Sequence, residues 1–176
     1  MSKTSASASF VPLNAAVITI SDTRTEADDA SGDYLAEALL HEGHKILYRK
    51  IVRDDRYVLR AVFSKLIADE GINVILSTGS TGLTGRDVAP EALEPLFDKT
   101  IEGFGEVFRS VSIKDVGAAT IQSRAFAGVA NGTVIFCMPG SPNACRTGWE
   151  EIIRSQLDAR TRPCNLATLM PRLQER

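Results

Sequence analysis

Short apolar runs alternate along this chain with longer stretches whose apolar residues recur at helical spacing. Ala15 to Ile20 reads as a first central strand, ended by Ser21-Asp22. Tyr34, Leu35, Ala38 and Leu39 then fall on one helical face, and Gly43 is a helix stop. Ile46 to Val52 predicts a second strand. Val58, Leu59, Val62, Phe63, Leu66 and Ile67 predict a strong amphipathic helix that closes at Gly71. Ile72 to Leu76 predicts a third strand, buried on both sides. Phe104, Val107, Phe108 and Val111 share a helical face in a less regular segment. Ala125 to Ala130 and Thr133 to Met138 flank Asn131-Gly132, the strongest short signal for a hairpin with a type I′ turn. A last helix carries Cys145, Trp149, Ile152, Ile153 and Leu157.

Strands alternating with amphipathic helices predict an α/β fold, a three-layer α/β/α sandwich around a mostly parallel sheet. The hairpin makes one strand antiparallel. No repeat or linker divides the chain. Residues 1–10, rich in Ser and Ala, read as a disordered lead-in, residues 11–165 as one domain, and residues 166–176 as a tail.

Composition narrows the function classes. The 176 residues suffice for one core-forming domain. With 20 basic and 22 acidic residues the net charge is −2, so nothing points to a nucleic acid or a membrane surface as partner. No apolar run reaches the ~18–20 residues of a membrane span, and the N-terminus lacks the apolar core of a secretory signal. The three cysteines, Cys137, Cys145 and Cys164, are odd in number and lack metal-site spacing, which makes reduced thiols and a cytoplasmic location the expectation.

The chemistry concentrates after the third strand. Residues 77–91 offer Gly79, Gly82 and Gly85, the hydroxyls of Thr78, Ser80 and Thr81, an Arg86-Asp87 pair, and Pro90 at a helix start. Small residues let backbone amides approach a ligand closely, and amides at a helix entrance attract anions. The stretch reads as a phosphate cradle or, at its plainest, as a flexible strand–helix loop. It is neither a Walker A loop, lacking Lys-Ser or Lys-Thr after Gly85, nor a G-x-G-x-x-G fingerprint. Position favours a site, because open α/β sheets bind ligands at the carboxyl ends of their strands. Ser21-Asp22, Asp54, the glycine-rich loop with Asp87, and Pro139-Gly140-Ser141 all follow strands, so a shared crevice is expected.

Asp55 is assigned as the cap of the helix that starts near Arg56, which leaves Asp54 for the crevice. Asn143 reads as the cap of the last helix. Carboxylates from separate loops suit Mg²⁺, which takes one or two carboxylates together with substrate phosphates. His41 and His44 read as surface residues, Cys145 and Trp149 as packing, and Phe104 and Phe108 as core or intersubunit contacts. A crevice rich in amides, hydroxyls and carboxylates but poor in histidine suits phosphoryl or nucleotidyl transfer.

The runs Thr78 to Asp87 and Ala89 to Ala92 resemble the signature of the molybdopterin-binding family, which includes gephyrin-type domains. So do Ile20-Ser-Asp22, Glu102-Gly-Phe-Gly-Glu106, Ser123-Arg124 and Met138-Pro-Gly-Ser-Pro142. The resemblance covers about residues 10–165. It implies an α/β/α fold, a homo-oligomer (trimer or hexamer), and a late role in molybdenum cofactor assembly, ahead of a molybdenum-insertion protein. Active members adenylylate molybdopterin with ATP and Mg²⁺, releasing pyrophosphate. The family's acidic pair falls on Asp54 and Asp87, which implies catalytic and metal-binding roles for both. Ser21, Asp22, Thr78, Gly79, Ser80, Thr81, Gly82, Arg86, Pro139, Gly140 and Ser141 are then the residues expected to hold substrate and phosphate. The alternative is a non-catalytic carrier of the pterin. Ser80 and Ala89 depart from the family pattern, which has Gly and Thr there.

Overall fold

The computed structural model describes residues 3–4 and 9–175. Six strands form one sheet: β1 (Asn14–Ile20), β2 (Lys45–Val52), β3 (Val74–Thr78), β4 (Lys99–Thr100), β5 (Phe126–Ala130) and β6 (Thr133–Met138). Their order is β2-β1-β3-β6-β5-β4. β1 pairs in parallel with β2 and β3, and β3 with β6; β5 is antiparallel to both its neighbours. The reversal occurs at Asn131-Gly132. Both residues have positive φ, 48° and 82°, as a type I′ turn requires. Of the expected lead-in, residues 1–2 and 5–8 lie outside the described residues. Lys3–Thr4 pairs antiparallel with Thr161–Arg162, and Phe10 packs on the His44 ring at 5.1 Å.

Side-chain alternation along the central strands builds two cores. Val17, Val74, Leu76, Val134, Phe136 and Met138 face one side. There they meet helices α1 (Ala30–His41) and α4 (Glu102–Val116), and α5, which runs as Pro142–Gly148, a π turn Trp149–Ile153 and Arg154–Leu157. Ala16, Ile18, Ile20, Ile75, Ile135 and Cys137 face the other side, against α2 (Arg56–Ile67) and α3 (Ala89–Leu93). The sheet is therefore the middle of three layers. Each fully buried Leu, Ile or Phe contributes about 1.5–3 kcal/mol. Phe104 and Phe108 are 3% and 2% exposed and belong to the first core. The apolar residues that α4 and the following turn leave outside are Val107, Ile113, Val116 and Ile121.

Asp55 caps α2, its carboxylate accepting from the Tyr57 and Val58 amides. α5 is capped by Ser141, not Asn143: Pro142 takes the first helical position, and the Ser141 hydroxyl accepts from the Ala144 amide. His44 is buried rather than on the surface, its Nδ1 accepting from the Leu13 amide at 3.2 Å, whereas His41 is exposed. Beyond Asn165 the chain forms a short helix (Leu166–Leu169) and a 3-10 turn, with Ala167 buried against the first core.

Candidate active site

The crossover direction reverses between β1 and β3. β1 leads through α1 to β2 on one side, and the chain then returns through α2 to β3 on the other. Loops that leave the two strand ends diverge and open a crevice. Backbone bonds tie the strand ends together. Ser21 N–H donates to Val52 O, Gly79 N–H to Met138 O, and Asp54 N–H to the Asp22 carboxylate. At the crossing the chain has room only for glycine. Gly79 has φ +103°, and a Cβ there would lie 2.2 Å from the Ile20 carbonyl oxygen. Gly140 packs against the Gly79 backbone.

The glycine-rich loop is held from within and from outside. Ser80 sits at φ 60°, a left-handed conformation that is uncommon outside glycine. Its hydroxyl donates to Asp54 Oδ1 at 2.6 Å and accepts from the Val88 and Ala89 amides at 2.8 and 3.0 Å. It thereby does for α3 what an N-cap does, because Val88 has no capping side chain. Asp87 turns back on its own loop and accepts from the Thr84 amide and hydroxyl. Gly82 makes room for it, since a Cβ there would meet Asp87 Oδ2 at 2.8 Å. Arg124 clamps the whole loop. Its Nε donates to Gly82 O and its Nη2 to Asp87 O, both at 2.8 Å, its Nη1 pairs with Glu91, and its amide donates to Thr81 O. Nothing local marks this clamp in the sequence, as Arg124 lies 42 positions from Gly82.

Electrostatics separate the carboxylates. Burial pushes Asp54 above the usual carboxylate range; the Ser80 hydroxyl opposes this, and the negative charges of Asp22 and Asp87 add to it. Burial also acts upward on Asp87. Hydrogen bonds from the Thr84 hydroxyl and amide and from the Gly82 backbone, with the nearby Arg124 charge, outweigh it and hold Asp87 low. Asp22 is held low by the Arg86 guanidinium, which pairs with it and also donates to the Asp54 carbonyl at 2.9 Å. Arg86 thus straps the loop after β3 to the loops after β1 and β2.

A cavity of about 400 Å³ opens beside the loop, within the range of small-molecule sites. Thr81, Gly82, Asp87, Pro139, Gly140 and Ser141 line one part of it, and α4 with the first turns of α5 lines the rest. Asp22, Asp54, Ser80 and Arg86 lie outside this lining. Asp87 alone among these carboxylates both borders the cavity and acts on Asp54 through its charge. Of the other residues expected at the site, Thr78 is buried, its hydroxyl donating to Pro139 O at 2.8 Å and accepting from the Cys145 thiol. The Ser21 hydroxyl accepts from the Thr23 and Arg24 amides. Burial pushes the Cys145 thiol up to about 11, which fits a packing role.

Comparison with known proteins identifies the family. Residues 16–159 match the family described as "Probable molybdopterin binding domain". Molybdenum cofactor biosynthesis protein B of Escherichia coli strain K12 is 55% identical over 159 residues, covering 90% of this chain and 94% of that protein. A Pyrococcus furiosus protein named molybdopterin adenylyltransferase is 45% identical over 148 residues, covering 80% of this chain and 85% of that one. The crystal structure of a molybdenum cofactor biosynthesis protein B superposes with a TM-score of 0.84 at 36% identity, covering 94% of this chain and 98% of the other. Fold and sequence converge, and the chain belongs to the molybdopterin-binding family of molybdenum cofactor biosynthesis.

Proposed function

We propose that this protein adenylylates molybdopterin: the terminal phosphate of the pterin attacks the α-phosphorus of ATP. The new P–O bond forms as the bond to the β-phosphate breaks, and pyrophosphate leaves. The observation that carries this reading is the placement of Asp54 beside the glycine-rich loop that carries Asp87, close enough for the Asp87 charge to act on Asp54, at the switch point of the sheet. The relative named molybdopterin adenylyltransferase supports it.

The attacking phosphate needs no general base, because its second pKa near ~6 leaves it largely ionised at neutral pH. The protein's share is positioning and charge. Thr81, Gly82, Gly140 and Ser141 border the cavity, and their amides are the donors proposed for a phosphate there. Arg124 and Ser80 tether the loop, which limits the rearrangement needed when a ligand binds. The carboxylate oxygens of Asp54 and Asp87 are hard donors, and a divalent cation would offset both the burial of Asp54 and the neighbouring charges of Asp22 and Asp87 that raise it. Among the described residues no group of three or more His, Cys, Asp or Glu forms a metal cage, so Mg²⁺ would be shared between these carboxylates and substrate phosphates. Bound there, the ion supplies positive charge to the phosphates during transfer.

The test is a single-turnover assay with molybdopterin, labelled ATP and Mg²⁺, run beside Asp87→Ala and Asp54→Ala. Adenylylated pterin from the native protein, with loss of about 100-fold or more in each variant, is the expected result. Pterin binding without product in all three proteins leaves a carrier and overturns the enzymatic reading.

A further inference from the structure

The cavity extends past the glycine-rich loop to a carboxylate that the transfer chemistry does not use. Asp115 stands on the last turn of α4 and lines the cavity. Its Oδ2 accepts from the Thr147 hydroxyl at 2.9 Å and lies 3.5 Å from the Asn143 amide nitrogen, so two residues of α5 orient it. Among the described residues no basic side chain forms an ion pair with it; the neighbouring Lys114 pairs instead with Glu151. Its Oδ1 remains available, and a carboxylate accepts bonds along both oxygens.

Position along α5 gives a scale. Asn143 and Thr147, which both reach Asp115, lie two and six residues beyond Ser141, about 3 and 9 Å along a helix axis at 1.5 Å per residue. Asp115 and the loop residues Gly82, Gly140 and Ser141 border the same cavity from different elements. The cavity wall also carries Phe108, Val116, Ala119 and Ala144, apolar groups that suit the faces of a flat ring. A cavity bordered by the glycine-rich loop, apolar side chains and a carboxylate outside any ion pair suits a ligand that carries both a phosphate and a flat ring. To meet the carboxylate, that ring carries two adjacent N–H donors.

We propose that Asp115 is the specificity-determining residue of this cavity and recognises the 2-amino-4-oxopyrimidine edge of the pterin. The N3–H and 2-amino groups of that edge present a parallel donor pair, as a guanidinium does to a carboxylate. Adenine presents one donor beside an acceptor on its corresponding edge and leaves half of the pair unmet. The cavity therefore takes the pterin, and ATP enters from the Asp54 side of the loop. This assignment rests on the adenylyl-transfer reading for the identity of the ligand.

The experiment titrates the full chain with 6-hydroxymethylpterin monophosphate and with its lumazine counterpart, in which oxygen replaces the 2-amino group. Native protein is compared with Asp115→Asn. The carboxamide oxygen of Asn still accepts from Thr147, and a thermal melt checks that folding is kept. Native protein should bind the pterin about tenfold or more tightly than the lumazine, and Asp115→Asn should lose about 10- to 100-fold in pterin affinity with little change for lumazine. Equal pterin affinity in the two proteins, or no preference of the native protein for pterin over lumazine, overturns the assignment. Failure of the native protein to bind either probe overturns it as well. Adenylyl transfer, measured separately, shows in each case whether the broader reading survives.

Discussion

The Ser80 hydroxyl is shared between Asp54 Oδ1, to which it donates, and the first amides of α3, from which it accepts. One side chain thus couples the loop after β2 to the loop after β3, from a left-handed backbone position. Two substitutions separate these contributions. Ser80→Ala removes the hydroxyl but keeps a Cβ at φ 60°, and we expect a loss of about 1–2 kcal/mol, as for a lost helix cap. Ser80→Gly loses the same bonds but relieves about 1 kcal/mol of left-handed strain. Urea denaturation should therefore rank Gly above Ala at this position. The reverse order would show that the Cβ packs favourably enough to outweigh the left-handed strain.

Asp54 should be a residue where activity and stability oppose each other. Its carboxyl is raised, chiefly by burial and with help from Asp22 and Asp87, so the folded state favours the protonated form. The contribution to stability is full below the unfolded pKa near ~3.9 and is lost as pH rises through the folded value. At neutral pH the charged group therefore opposes folding. Asp54→Asn removes the charge and keeps an oxygen for Ser80. The expected gain is below about 1 kcal/mol, discounted because the carboxylate remains partly solvated. A thermal melt at pH 7 should rise by about 1–3 °C while adenylyl transfer falls about 100-fold or more. A melt that drops instead would mean that Asp54 is stabilised as an anion by groups other than those seen around it.

What the sequence made legible follows from range. The Asp55 cap, the Asn131-Gly132 turn and the alternating strands depend on neighbours a few positions apart, and the structure has each of them where the residue pattern puts it. The convergence of Asp22, Asp54, Ser80 and Arg86 was legible as topology, because carboxyl ends of parallel strands share one edge. The contacts themselves were not. Ser80 is committed to Asp54 through a backbone φ that residue type does not announce. Pro142 shifts the α5 cap to Ser141, a local rule outweighed by the appeal of Asn143. Phe104 and Phe108 turn inward because α4 lies flat on the sheet, which periodicity alone does not orient. His44 is buried by Leu13 and Phe10, from a distant part of the chain.

Arg124 gives the loop its rigidity from a distance. Its guanidinium bonds two loop carbonyls and pairs with Glu91. Bonds from a charged donor contribute about 1.5–3 kcal/mol each and do not sum simply. Arg124→Met should therefore destabilise the fold by about 1–3 kcal/mol, since two half-buried carbonyls lose their partner. Lys should not restore it, because an ammonium cannot reproduce the planar fork. Hydrogen exchange gives the sharper readout: amides near Gly82 and Asp87 should lose protection in both variants before the strands do. Uniform loss across the sheet would place Arg124 in the general stability of the fold and not in the loop.

His44 makes stability depend on acidity far from the crevice. It is buried, and its Nδ1 accepts from the Leu13 amide, a bond that only the neutral ring with an unprotonated Nδ1 can make. Burial depresses its pKa, with Glu42 and Asp158 opposing that shift through their charges. Here the unfolded chain binds the proton more readily than the folded one. Stability from this residue is then full above the unfolded pKa near ~6.5 and declines as pH falls through that value toward the folded one. Thermal melts between pH 8 and pH 5 should show a decline that begins near ~6.5, ahead of the general acid unfolding driven by carboxylates. His44→Gln, whose side-chain oxygen can still accept from Leu13, should flatten that first step while leaving the later one in place. A step that persists unchanged in the variant assigns the pH dependence to another group and removes His44 from the account.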